Sequence, residues 1–227
     1  MSALYVDGIW DGFHRFYDKE YEIDFGLAKY ITDEMEKQNI TVKTVDYDKF
    51  SFKVDLQKVN LNPMLWQHQK DTVIEFFKNP FGIAQIPTRG GKTFTSAEIS
   101  RICIEQFDSK VLFIVDSVDL QRQTKKEFEL FLNDKVSRVG TVQGKILDFS
   151  KQITVATIQT LTGILFPVKT SIYKKKKENF KRKKELTAWL KTIDLLIVDE
   201  VHEFLSVKRI ATIKTCDNIR GLLCLSA

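Results

Sequence analysis

Two short segments hold the residues able to do chemistry: Ile86-Pro-Thr-Arg-Gly-Gly-Lys-Thr93 and Leu195-Leu-Ile-Val-Asp-Glu-Val-His202. In the first, the backbone amides of a glycine-containing turn can cradle phosphate oxygens, with Lys92 as a point charge and Thr93 as a hydroxyl ligand for Mg²⁺. In the second, Asp199 and Glu200 follow an apolar run; one carboxylate can hold the cation while its neighbour orients or deprotonates a water. Each segment alone is a weak signal. Together they describe a lobe that binds and hydrolyses a nucleoside triphosphate.

The elements around them have the order this chemistry needs. A β-rich run at 82–86 precedes the glycine loop, and helical spacing at 94–105 follows it. The run 195–198 is apolar on both faces, as in a central parallel strand that presents its carboxylates at its carboxyl end. Further strands are expected at 111–115, 137–140, 153–157, 194–198 and 222–225, and helices at 66–77, 93–106, 120–133 and 185–191. This alternation predicts an α/β fold with a mostly parallel sheet covered on both faces. Upstream, 1–58 reads as a small α+β accessory module, with a helix at 26–37 and strands at 41–47 and 50–56. Asn60 to Pro63 is the expected linker, and 59–227 forms the larger lobe. Trp10, Phe13 and Tyr17 can stack on bases, or form the core of the module.

Composition narrows the setting. The 227 residues suffice for a small domain followed by a medium one. Cys103, Cys216 and Cys224 have no metal-ligand spacing and read as buried thiols, so no zinc site is expected. The chain starts without a basic, apolar leader and has no apolar stretch of membrane-spanning length, which points to a cytoplasmic protein with no membrane partner. Its net charge is +5, yet eight Lys or Arg and only two acids lie between Lys174 and Glu185, so the remainder is close to neutral. Lys174, Lys175, Lys176, Lys177, Lys181, Arg182, Lys183 and Lys184 can track phosphates along a nucleic acid. They also suit the solvated face of a helix continuing to Trp189, or a charged loop.

Taken in order, Leu65-Trp-Gln-His-Gln69, Pro87-Thr-Arg-Gly-Gly-Lys-Thr93, Ile114-Val-Asp-Ser-Val-Asp-Leu-Gln-Arg-Gln123, Ala156-Thr-Ile-Gln-Thr160, Asp199-Glu-Val-His202 and Leu225-Ser-Ala227 resemble the serial motifs of superfamily-two helicases and translocases. Gly8-Ile-Trp-Asp-Gly12 and Phe25-Gly-Leu27 extend the resemblance to the small amino-terminal domain of phage UvsW-like branch-migration helicases. The resemblance implies a RecA-like P-loop lobe that uses ATP and Mg²⁺. Thr88, Gly90, Gly91, Lys92 and Thr93 would hold the phosphates, Thr93 and Asp199 the metal, and Glu200 the attacking water. Gln69 would read the adenine edge, or simply face solvent on its helix. His202 and Ser226 would link the hydrolysis site to the nucleic-acid path, although His202 also suits a strand end. Ser117, Gln123, Thr157, Gln159 and Thr160 would touch the DNA backbone without reading bases, or serve as caps and turn residues.

Three departures stand out: Ile86 where the loop signature begins with a small residue, Arg89 within that loop, and Asp116 in place of a proline after its strand. The motif series also stops at Leu225-Ser-Ala227, where the family continues into a second lobe that supplies arginine fingers. The chain thus resembles an amino-terminal half, slow or inactive in hydrolysis by itself. The implied function is ATP-dependent remodelling of branched DNA, such as forks or four-way junctions. The alternatives are a DEVH-box repair motor, a restriction-type DNA motor, an RNA helicase, or a non-catalytic module that binds nucleotide and nucleic acid.

Overall fold

The computed structural model describes residues 34–38, 52–133, 139–167, 173–204 and 206–227, with the backbone alone at 173–176. Two compact units divide the chain, Met1–Asp46 and Tyr47–Ala227. In the first, residues 34–37 are helical, at the end of the expected helix, and Lys37 pairs with Glu34 at 3.1 Å. The strand expected at 41–47 lies outside the described residues.

The described residues of the second unit form seven strands: β1 (Phe81–Gln85), β2 (Val111–Val115), β3 (Val139–Gln143), β4 (Ile146–Leu147), β5 (Ile153–Thr157), β6 (Leu195–Val198) and β7 (Gly221–Ser226). Their order in the sheet is β1-β7-β6-β2-β5-β3-β4. Every pairing is parallel except the β3–β4 hairpin. Helices α1 (Gln67–Lys78), α2 (Lys92–Phe107), α3 (Val118–Phe131), α4 (Ile158–Leu165), α5 (Tyr173–Leu190) and α6 (Val207–Lys214) fill the connections, with a 3₁₀ turn at Val201–Phe204.

The apolar strands face two cores, because successive strand residues point to opposite sides. Val111, Phe113 and Val115 join one core with Val73 and Phe76 of α1, Ile99 and Ile102 of α2, and Phe128 of α3. Leu112 and Ile114 join the other with Leu161 of α4 and Leu186, Trp189 and Leu190 of α5. Burial on both faces explains why β2, β5 and β6 read as continuous apolar runs.

The structure corrects several sequence expectations. The basic stretch takes the helical alternative, and the helix runs from Tyr173 to Leu190 where the expected element covered only 185–191: Lys and Arg are good helix formers, and Leu186, Trp189 and Leu190 anchor the helix at its carboxyl end. Phe149 stacks on Trp189 there, ring centroids 4.5 Å apart. The short helices α4 and α6 and strand β4 have no counterpart in the predicted pattern. The strand expected at 50–56 is irregular backbone over 52–55, followed by a 3₁₀ turn at Leu56–Lys58. Phe52 enters the first core, where the Arg220 guanidinium lies 4.8 Å from its ring and 4.7 Å from that of Phe107.

Nor is Asn60 to Pro63 a free linker. Glu98 of α2, 0% exposed, accepts the Asn62 amide at 2.8 Å and two hydrogen bonds from Arg101, whose Nη2 also donates to the Asn60 carbonyl. A charged group deep in the fold is thereby fully partnered, and the chain entering α1 is tied to α2. Breaking such a buried pair from one side costs about 3–5 kcal/mol.

All three cysteines are buried. Burial pushes the Cys216 thiol up to about 12 and the Cys224 thiol up to about 11, and raises Cys103 as well. No helix among the described residues is long and apolar enough to cross a membrane. Two outcomes are expected from this packing. Glu98→Ala lowers the urea-unfolding free energy by about 3 kcal/mol, since Arg101 and the Asn62 amide lose their acceptor; a change under about 1 kcal/mol would show that the tether is dispensable. Ellman's reagent at pH 8 leaves Cys103, Cys216 and Cys224 unmodified in the folded chain, and modifies all three in denaturant.

Candidate nucleotide site and strand-end network

The glycine loop grows out of β1. Ile86 extends the strand by donating its amide to the Ser226 carbonyl at 2.9 Å, and its side chain is buried, which accounts for an apolar residue at this departure from the family pattern. The chain then turns through Pro87, Thr88 and Arg89, with Gly90 N donating to Pro87 O at 2.8 Å. Thr88 and Arg89 are exposed. Gly91, at φ 82°, caps the amino terminus of α2, so Lys92 and Thr93 open that helix.

No side chain fits at either glycine. A Cβ on Gly90 would lie 2.7 Å from the Ile86 Cγ2, and one on Gly91 would lie 2.0 Å from the Gln69 Nε2. Gln69, 4% exposed, donates from Nε2 to the Gly90 carbonyl at 3.1 Å and accepts the Trp66 amide on Oε1 at 2.9 Å. His68 Nε2 also meets the Gly90 carbonyl, at 3.0 Å. The Gln69 amide thus holds the loop against α1 rather than facing solvent. Beside it opens a pocket of about 180 Å³ lined by Met64, Leu65, Trp66, Gln69, Arg89 and Phe94, apolar walls with a few polar groups.

The acidic segment reaches the loop from two strands away. Glu200 follows β6 at φ 48°, a left-handed conformation costing on the order of 1 kcal/mol for a residue with a side chain. Its Oε1 accepts a hydrogen bond from Lys92 Nζ at 2.5 Å, with the Lys92 side chain 13% and that of Glu200 29% exposed. Its Oε2 is buried without a hydrogen-bond partner, 3.6 Å from His202 Nδ1. His202 Nδ1 in turn lies 3.4 Å from the Ser226 hydroxyl, so the groups expected to couple hydrolysis to the nucleic-acid path are neighbours of Glu200. Burial raises the pKa of Asp199, opposed by the Lys92 charge and reinforced by that of Glu200.

These residues fit a magnesium-bound triphosphate. The loop amides start a sixteen-residue helix, whose amino terminus favours an anion. Lys92 is paired with a carboxylate that stands in for phosphate, and Glu200 holds an unsatisfied acceptor. Among the described residues no three His, Cys, Asp or Glu gather into a metal cage. Mg²⁺ bound by phosphates, waters, one carboxylate and one hydroxyl requires none.

Of the expected strand contacts, Ser117, Thr157, Gln159 and Thr160 lie at or just beyond the carboxyl ends of β2 and β5 and Gln123 lies within α3, each with an internal partner. Ser117 Oγ caps α3 by accepting the Leu120 amide, and Gln123 donates to Glu127. The Thr157 and Thr160 hydroxyls are 2.8 Å apart, and Thr160 Oγ1 accepts the Gly144 amide. Gln159 donates to Asp116 at 3.1 Å. The basic helix joins the same edge through Arg182, whose Nη2 donates to the Gly144 carbonyl at 2.6 Å. Lys183 lies 5.8 Å from the Phe166 ring, Lys181 faces Glu185 at 3.9 Å, and Lys177 and Lys184 are exposed. The side chains of Lys174, Lys175 and Lys176 lie outside the description. Sequence reasoning passed over His68, Arg209 and the exposed Phe180. An aromatic inside a lysine run was a legible signal for the last, whereas nothing marked Arg209.

Among curated proteins, the chain is 27% identical over 150 residues to the ATP-dependent DNA helicase uvsW of Enterobacteria phage T4, covering 59% of this chain and 30% of that protein. It is 38% identical over 79 residues to a type I restriction enzyme endonuclease subunit of Staphylococcus saprophyticus, covering 33% of this chain and 8% of that one. The chain thus spans less than a third of the length of either relative. Among solved structures, the UvsW helicase of bacteriophage T4 superposes with a TM-score of 0.74 at 20% identity, over 98% of this chain and 78% of that one. The architecture is that of a RecA-like helicase lobe. A family model described as the type III restriction enzyme, res subunit, matches residues 53–227, and the chain belongs to that family.

Proposed function

We propose that Tyr47–Ala227 carries the first motor lobe of an ATP-dependent DNA helicase or translocase acting on branched DNA, a larger unit than the 59–227 expected from the sequence, with Met1–Asp46 as an accessory module that helps grip the DNA. The observation that carries the reading is the contact between Lys92 and Glu200, 108 residues apart, which joins the glycine loop to the acidic strand end. In this reading the amides of Gly90 to Thr93 and the Lys92 ammonium hold phosphate oxygens, while Thr93 and Asp199 hold Mg²⁺. ATP supplies the phosphoanhydride bond, and its metal neutralises the charge on the phosphate oxygens.

Lys92 cannot serve phosphate and Glu200 equally. When its ammonium turns to phosphate, the Glu200 carboxylate is released to orient or deprotonate a water. His202 steadies that carboxylate from its other oxygen and reports to Ser226. The pocket beside Gln69 receives the base, with Trp66 and Phe94 as apolar walls. A second lobe closes the site and contributes arginines worth on the order of 10³–10⁵ in rate.

DNA as the substrate is supported by the 27% identity to the ATP-dependent DNA helicase of phage T4, and the branched form is what the resemblance of the motif series to branch-migration helicases implies. Such a motor works in the cytoplasm, here that of a phage-infected host. The exposed Lys177, Phe180, Lys181 and Lys184 share one side of α5, a basic surface with an aromatic suited to phosphates and an unpaired base. The second reading is a restriction-type DNA motor, favoured by the 38% identity to the type I restriction subunit. Tighter binding to a four-way junction than to linear duplex or RNA of equal length supports the first reading, and equal affinity for junction and duplex supports the second.

Two variants test the chemistry. Lys92→Ala weakens binding of a fluorescent ATP analogue at least about tenfold, as expected for a lost charge-assisted phosphate contact; unchanged affinity would remove Lys92 from the site. Glu200→Gln binds the analogue within about threefold of wild type. When the lobe is supplied with a second motor lobe, this variant loses about 10²–10⁴ of its turnover, the usual contribution of a general base. Undiminished hydrolysis would sink the assignment.

A further inference from the structure

At the carboxyl end of β2, Asp116 meets donors from two other elements. Its Oδ1 accepts from Arg209 Nη2 of α6 at 2.8 Å and from Gln159 Nε2 of α4 at 3.1 Å. The guanidinium is held independently of Asp116: Nη1 donates to the Glu203 carbonyl at 2.5 Å, and its carbon lies 5.5 Å from the centre of the buried Phe204 ring. A freely exposed ion pair would contribute little. Here Arg209 is 24% exposed and fixed from two sides, so its remaining donors are aimed whatever acceptor they meet.

An aimed guanidinium and a carboxamide converging on one anionic oxygen make a receptor for an oxyanion. A guanidinium with a carboxamide suits the oxygens of a phosphodiester, with geometry but no base identity in the contact. The location fits as well, because Ser117, Thr157 and Thr160 lie at these same strand ends. We propose that Arg209 and Gln159 form a binding site for one phosphate of the DNA backbone, and that Asp116 occupies this site in the DNA-free chain as an internal competitor. The proposal rests on the DNA-motor reading.

A strand entering the path must displace the Asp116 carboxylate, which lowers affinity for every sequence alike. Arg209 then exchanges one anion for another while keeping its hold on Glu203. That hold ties the exchange to the turn that directly follows Asp199 and Glu200.

The test is fluorescence anisotropy of a labelled oligothymidine across a salt series, with the full chain and variants checked for folding by circular dichroism. Asp116→Ala tightens binding about three- to tenfold. Arg209→Ala weakens it about tenfold and lowers the slope of log affinity against log salt by about one, the value for a lost phosphate contact. In the Arg209→Ala background, Asp116→Ala brings no gain. Arg209→Lys, which keeps the charge without the planar fork, falls between wild type and Arg209→Ala and serves if the alanine variant does not fold. Asp119→Ala removes a nearby exposed carboxylate and changes affinity by less than about twofold.

An equal gain from Asp116→Ala with and without Arg209 would mean general charge relief and overturn the proposal. Displacement of the oligothymidine by inorganic phosphate beyond that by chloride at matched ionic strength, lost in Arg209→Ala, would reassign the site to free phosphate and overturn it too. If the wild-type chain binds no DNA, the motor reading falls with the proposal. If it binds DNA and these variants do not differ, the proposal alone falls.

Discussion

The contact between Lys92 and Glu200 is the constraint on which the rest of the site depends. One residue opens the helix after β1, and the other ends the turn after β6, with β7 lying between those strands. Such a meeting requires three parallel strands to finish at one level. Register supplies this: Gln85 pairs with Ser226 and Val198 with Cys224, which aligns the carboxyl ends to within two residues. A one-residue slip of β6 would exchange its two buried faces and carry Glu200 away from the loop. The apolar strands therefore position the charged pair, through a packing requirement that tolerates no shift.

Left-handed backbone recurs at the same place, as it does at the helix ends Asp108 and Asn133. Arg89 at φ 66°, Gly91 at φ 82° and Glu200 at φ 48° are left-handed, and all three lie in the two turns that face each other across the site. Neither turn is held by its own residues alone. The Gly90 carbonyl is gripped from α1 by Gln69 and His68, and Asp199 donates its amide to the Ile114 carbonyl of β2. Neighbouring elements hold these conformations in place. The loop can consequently present its amides outward without collapsing on itself.

Polar groups at the other strand ends are also committed in advance. Thr157, Thr160, Gly144 and Arg182 form a chain of hydrogen bonds from β5 through the β3–β4 turn to α5, and Asp116 gathers Gln159 and Arg209. These internal bonds keep short side chains in defined orientations before any ligand arrives. An incoming phosphate would replace existing partners and need not order free side chains, which reduces the entropy lost on binding.

The sequence by itself determined the glycine loop, the acidic strand end and the alternation of strands and helices, because each depends on local backbone chemistry or a short apolar period. Gly90 and Gly91 were legible as a turn between strand and helix with its amides free to meet an anion, and Leu195 to Val198 as a strand buried on both faces. Fold class followed from those signals. Tertiary structure alone decided that α5 is one continuous helix, because Leu186, Trp189 and Leu190 find a core that no property of the lysines announces. It also bound Asn60 and Asn62 to α2 through Glu98 and Arg101, turned the Gln69 amide onto Gly90, and brought Arg209 to Asp116. Each of these joins residues distant in the chain, and such pairings exist only once the order of the strands has fixed which ends become neighbours.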